Sequence, residues 1–146
     1  MGFFTSLFGD GATDNISIEI SQNIKGLLHT NSKFYIDPEE LWYTALGNVK
    51  AFHNWLISVR DSGNIKEKTT RWIDLLIDEV AVFTIASKTY KELTQSEFHK
   101  LVTLSQVYAY CVQFQYIPLR GNMNHPTKKF YSEIIYKIYV KTLAKV

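Results

Sequence analysis

Arg120 and His125 are the pair in this 146-residue chain whose types and spacing could do chemistry together. A guanidinium can stabilise charge that develops on a phosphate under attack, and an imidazole nearby can move a proton or orient a hydroxyl. The structural reading of the same stretch, Arg120-Gly121-Asn122-Met123-Asn124-His125, is a turn in which Asn124 or His125 caps the following helix and Arg120 pairs with an acid. Asp74 and Asp78 stand four apart on one helical face and could offer a metal two carboxylates, but no Glu-x-x-His accompanies them. Solvated acids near Arg71 are the simpler reading. Glu79 falls among Trp72, Leu75, Leu76, Val82 and Phe83 in helical register, so if buried it needs a Lys, Arg or Tyr from another helix.

His53 lies beside Trp42, Val49 and Ile57 and reads as a hydrogen-bonded histidine at the core edge. Cys111 has no basic neighbour to lower its pKa and reads as an inert buried thiol. As the only cysteine it excludes an intrachain disulfide and a four-cysteine or Cys/His zinc cage, which suits a reducing cytoplasm. Gly-rich phosphate loops, a nucleophile elbow and metal-ligand spacings are absent from the sequence, so neither cofactor nor metal is expected.

The Arg-x4-His spacing, placed in a loop before the last helix of an all-helical chain, resembles the motif of the HEPN family. The resemblance covers six residues plus helical character. It implies a small helical bundle, many of whose relatives are ribonucleases, with Arg120 and His125 as catalytic residues and dimerisation bringing two motifs together. Gly121 and Pro126 depart from the pattern: the family often has a polar residue after the Arg, and here a proline directly follows the His.

The elements that must position these residues are helices. Asp37-Pro38-Glu39-Glu40 supplies an N-cap, a proline at the first helical position and acids in the first turn. Leu41, Ala45, Val49, Phe52, Leu56 and Val59 then recur at spacings of three and four until Ser62-Gly63-Asn64. A second long helix is predicted from Lys68 to Leu93, with Trp72, Leu76, Val80, Phe83 and Tyr90 on one face. The capping box Thr94-Gln95-Ser96-Glu97 starts another that runs to Pro118, and the two are expected to form a tight hairpin. The uncharged stretch from Leu101 to Leu119 is too polar to cross a bilayer, so protein must cover it, with Leu101, Val102, Tyr108, Ala109 and Val112 expected in the core. A last helix begins near Pro126. Ile20, Ile24, Leu27 and Leu28 suit a short helix, although Ile16-Ser17-Ile18-Glu19-Ile20 alternates like a strand. The fold expected is an all-α, single-domain antiparallel bundle of four to five helices over residues 14–146, preceded by an apolar arm at 1–13.

Two surfaces suggest binding. In the arm, Phe3, Phe4, Leu7 and Phe8 could form one apolar face, and with Asp10, Asp14 and Glu19 preceding the first basic residue, Lys25, packing on protein is favoured over anionic lipid. At the other end, residues 120–146 hold six basic side chains and one acidic. Lys137, Lys141 and Lys145 form a row at i, i+4 and i+8, and Lys128 and Lys129 sit where the helix dipole disfavours cations. That end would suit an acidic partner or RNA, or be a solvated face. The sequence therefore predicts a non-enzymatic cytoplasmic protein that binds another protein, such as an adaptor, inhibitor or immunity-type protein, with a homo-oligomer compatible and no integral membrane segment. A HEPN-like ribonuclease is the alternative.

Overall fold

Asp37 accepts the Glu39 amide on its carboxylate at 3.0 Å, and Pro38 takes the first helical position, where a missing N–H leaves nothing unsatisfied. The helix this starts ends at Asp61, and the six apolar residues that recur along it are all buried. The computed structural model of the chain describes residues 10–63, 65–85, 88–117 and 131–146. Within them the fold is all-α: α1 (Asp10–Leu28), α2 (Pro38–Asp61), α3 (Glu67–Thr84), a 3-10 turn at Tyr90–Glu92, α4 (Gln95–Gln113) and α5 (Ser132–Lys145). The segment 16–20 is helical. Its alternation is overridden by Ile20 and Ile24, one turn apart and both buried, while Ile18 faces outward.

α2 packs on both α3 and α4, α5 closes against α3 and α4, and α1 lies on α5 and α4. Register is visible in individual contacts. The Asn48 amide donates to the Ser105 hydroxyl at 2.9 Å and the Phe52 and Tyr108 rings lie 5.3 Å apart, so α2 and α4 run in the same direction. Ser132 reaches the Thr69 carbonyl, Tyr136 meets Trp72 at 5.5 Å and Tyr139 meets Glu79, so α3 and α5 do likewise. α2 and α3 form a hairpin in which Arg60 pairs with Asp74. Successive helices from α2 to α5 thus alternate in direction.

The expected hairpin between the second and third long helices does not form. α3 stops at Thr84, not Leu93, and α3 and α4 scarcely touch. The run Val80-Ala81-Val82-Phe83-Thr84-Ile85 is rich in β-branched residues, which lose rotamer freedom in a helix. Thr89 and Glu92 then form a capping box of their own, which turns the backbone at Tyr90–Glu92 and carries the chain across the end of the bundle. α4 starts at its predicted box, in which Thr94 accepts the Glu97 amide and the Glu97 carboxylate accepts the Thr94 amide.

α4 ends at Gln113, short of Pro118. The Gln115 amide donates to the Val112 carbonyl at 3.1 Å and the Tyr116 amide to the Cys111 carbonyl at 2.8 Å, with Gln115 in the left-handed region at φ 63°. That is a Schellman ending built on glutamine where glycine is usual. Leu101 and Val102 are buried as expected, joined by Leu104, Val107 and Cys111; Tyr108 and Val112 are half-buried and Ala109 is exposed. The contacts of Asn48 with Ser105 and of Phe52 with Tyr108 fix which face of α4 turns toward α2.

α1 takes up Asp10–Thr13, four residues of the stretch read as an arm, and Thr13 is buried. Its contact face repeats small polar residues, Thr13, Ser17 and Ser21, all buried. The Ser17 and Ser21 hydroxyls donate to the Asp14 and Ile18 carbonyls of their own helix at 2.7 and 2.8 Å, so they approach the bundle already satisfied.

Candidate functional site

Two lysines of the α5 row, Lys141 and Lys145, reach α1. Lys137 pairs with Glu133 one turn back at 3.2 Å, Lys141 donates to the Thr13 hydroxyl at 3.0 Å, and Lys145 pairs with Asp14 at 3.2 Å. Lys68 of α3 approaches the same Glu133 carboxylate at 4.0 Å. Lys141 and Lys145 therefore fasten the first turns of α1 to the last turns of α5, where a cation such as Lys145 also suits the helix dipole, while Lys137 pairs within its own helix. Lys128 and Lys129 lie outside the described residues, as do Phe3, Phe4, Leu7 and Phe8.

Arg120 and His125 also lie outside the described residues. What is described is the base of their segment. Ile117 is buried, and the rings of Tyr116 and Tyr131, which flank this segment, stand 5.0 Å apart.

Glu79 has the partner its position demands. The buried Tyr139 hydroxyl donates to its carboxylate at 3.0 Å, beside the mutually tilted rings of Trp72 and Tyr136 and the Arg71 guanidinium 5.6 Å from the Trp72 ring. Burial, reinforced by the Glu79 charge, pushes the Tyr139 phenol well above its ordinary pKa, so it keeps its proton and acts only as a donor. The buried Trp72 indole N–H has no acceptor among the described residues. This cluster joins two helices and leaves no free acid or base.

Cys111 is completely buried, and burial pushes its thiol far above the ordinary range, which leaves no thiolate to react. Asp74 is engaged by Arg60, Asp78 is exposed, and no group of three metal-ligating side chains occurs among the described residues. His53 is half-buried at the core edge. No helix among the described residues is long and apolar enough to cross a membrane.

The structure brings forward one feature that sequence reasoning passed over. A cleft of about 370 Å³ opens between α1, the loop after it and α4, lined by Gln22, Asn23, Gly26, Leu27, Phe34 and Gln106. Phe34 is 64% exposed, with the Lys33 ammonium 5.1 Å from its ring. The signal available in the sequence was Phe34-Tyr35-Ile36 directly after the polar run Thr30-Asn31-Ser32-Lys33 in the connection between two helices. A second, shallower cleft is lined by Gln95, Ser96, His99, Lys100 and Leu143. Compared with known proteins, the chain matches no family model, no curated protein and no solved structure.

Proposed function

We propose that the chain is a non-enzymatic cytoplasmic protein that acts by binding another protein, as an adaptor, inhibitor or immunity-type protein does. The observation that carries this reading is the set of large apolar side chains left outside a filled core. Phe34 is 64%, Tyr43 74% and Ile85 74% exposed, and Phe114 is half exposed. Exposed aromatic residues are the usual anchors of protein interfaces, where burying them supplies most of the affinity. Lys137 on α5 and Lys145 at the α1–α5 seam stay partly exposed and add basic surface. Affinity capture from the native host, followed by titration with the purified partner, tests the proposal. Phe34→Ala and Tyr43→Ala are expected to weaken binding while leaving the helical circular-dichroism signal intact.

A second reading is a HEPN-like ribonuclease. It is supported by the Tyr116–Tyr131 contact, which holds together the two ends of the segment carrying Arg120 and His125. Cleavage of RNA by the wild type, abolished by both Arg120→Ala and His125→Ala in folded protein, reverses the ranking. In the binding-protein reading no cleavage occurs, and any RNA affinity falls by about 0.7 log units per log unit of salt for each phosphate contacted.

A further inference from the structure

The cleft beside Phe34 has the volume of a binding pocket and an unusual lining. None of its six lining residues is charged, and the exposed Gln22 and Asn23 with the half-buried Gln106 present side-chain amides. Leu27 and the exposed Phe34 ring supply apolar surface. A Cβ at Gly26 would stand 3.6 Å from the Ser32 hydroxyl and 3.9 Å from the Phe34 Cβ, in ordinary contact with both, so only a larger side chain there would crowd the cleft. The lining itself carries no charge, and the Lys33 ammonium stands 5.1 Å from the Phe34 ring. This lining suits a neutral peptide whose aromatic side chain lies against Phe34 and Leu27 while its backbone pairs with the three amides.

We propose that the cleft receives residues 1–9 of a second copy of this chain. That segment, Met1-Gly2-Phe3-Phe4-Thr5-Ser6-Leu7-Phe8-Gly9, has no charged side chain and three phenylalanines, which is the chemistry the lining asks for. Reach favours a second copy over the same chain. Along α1, Gln22 and Gly26 lie about 18 and 24 Å from Asp10. At about 3.3–3.6 Å per residue, only a fully extended segment laid back over α1 could bring Phe3 or Phe4 to the cleft of its own chain. A second copy meets no such limit, and two copies exchanging segments form a closed two-fold pair with both clefts filled. This self-association goes beyond the partner binding proposed above; because both use Phe34, Tyr43→Ala, at a residue outside the cleft, separates the two.

Light scattering on the full chain at micromolar concentrations tests the proposal. The wild type is expected to be a dimer. Phe34→Ala, Gly26→Leu and the double variant Phe3→Ser, Phe4→Ser are each expected to raise its dissociation constant at least about tenfold, about the loss of one well-seated aromatic anchor. Circular dichroism checks that each variant is folded; Phe34 is exposed, so Phe34→Ala decides the matter if Gly26→Leu disturbs the helix. A monomeric wild type overturns the proposal. So does a dimer indifferent to Phe34→Ala, or one that Phe34→Ala breaks while the Phe3, Phe4 double variant leaves it whole. Loss of an external partner with the dimer intact would concern the proposed function alone.

Discussion

The Tyr139 hydroxyl of α5 donates to the Glu79 carboxylate of α3 at 3.0 Å, so a buried phenol satisfies an acid placed among apolar residues sixty positions away. Neither group is well accommodated without the other. Removing the donor leaves a partly buried carboxylate with a lost charge-assisted bond, a change of about 1.5–3 kcal/mol. Tyr139→Phe is therefore expected to lower the urea midpoint clearly. Glu79→Gln is expected to be milder, since its amide oxygen can still accept.

The same contact sets behaviour at alkaline pH. The fold favours the protonated phenol, so its folded pKa lies above the unfolded value near 10. Its contribution is fully present below that value and is lost as pH rises from 10 toward the folded pKa, at up to about 1.4 kcal/mol per pH unit. Tyr139→Phe should flatten the fall of stability above pH 10. The flattening is partial, because burial raises Cys111 and Tyr108 as well. An unchanged slope would show that Tyr139 ionises no harder in the fold than out of it.

At acid pH the start of α4 should respond. The Lys88 ammonium at 2.8 Å, with the Thr94 amide, holds the Glu97 carboxyl down to about 2 from an ordinary 4.5. Here the ionised form is the favoured one. Its contribution is present above the ordinary value and is lost as pH falls through about 2. Glu97→Gln is expected to lower stability at neutral pH, with the two proteins converging as the pH drops toward 2. Thr94→Ala removes the other half of the box and is expected to lose about 1 kcal/mol at all pH values.

Gln115 offers a gain. It occupies the left-handed position of the Schellman ending at φ 63°, which disfavours a residue with a Cβ by about 1–2 kcal/mol. Gln115→Gly should raise the melting temperature, by less than that full amount because glycine also loosens the unfolded chain. Gln115→Val should lower it.

The seam between α1 and α5 separates polar from apolar contributions. Lys145 and Asp14 are each partly exposed, and such pairs contribute about 0–1 kcal/mol, screened by salt. Ile24 is completely buried. Lys145→Ala is expected to change stability slightly and only at low ionic strength, whereas Ile24→Ala should lose about 2–5 kcal/mol in any salt. Equal effects would mean that the lysine row, not the isoleucines, holds α1 in place.

What the sequence determined by itself was local. Asp37-Pro38 and Thr94-Gln95-Ser96-Glu97 act through backbone amides two or three residues away, so the starts of α2 and α4 were legible to the residue, and the buried face of α2 followed from its period. The need of Glu79 for a partner was legible too, since helical register alone placed a carboxylate among apolar side chains. The identity of that partner was not, because Tyr139 reaches it only once α5 lies along α3. The same holds for the neighbours of each helix: an apolar stripe specifies that a face is buried, not against what, and so the diagonal placement of α3 and α4, set by the turn at Thr89–Glu92, was decided in three dimensions. The Phe34 cleft belongs to that second kind. It exists because Gly26, Phe34 and Gln106, from three separate segments, meet when α1 settles on α4, and no spacing in the chain encodes a concavity between elements that are distant in sequence.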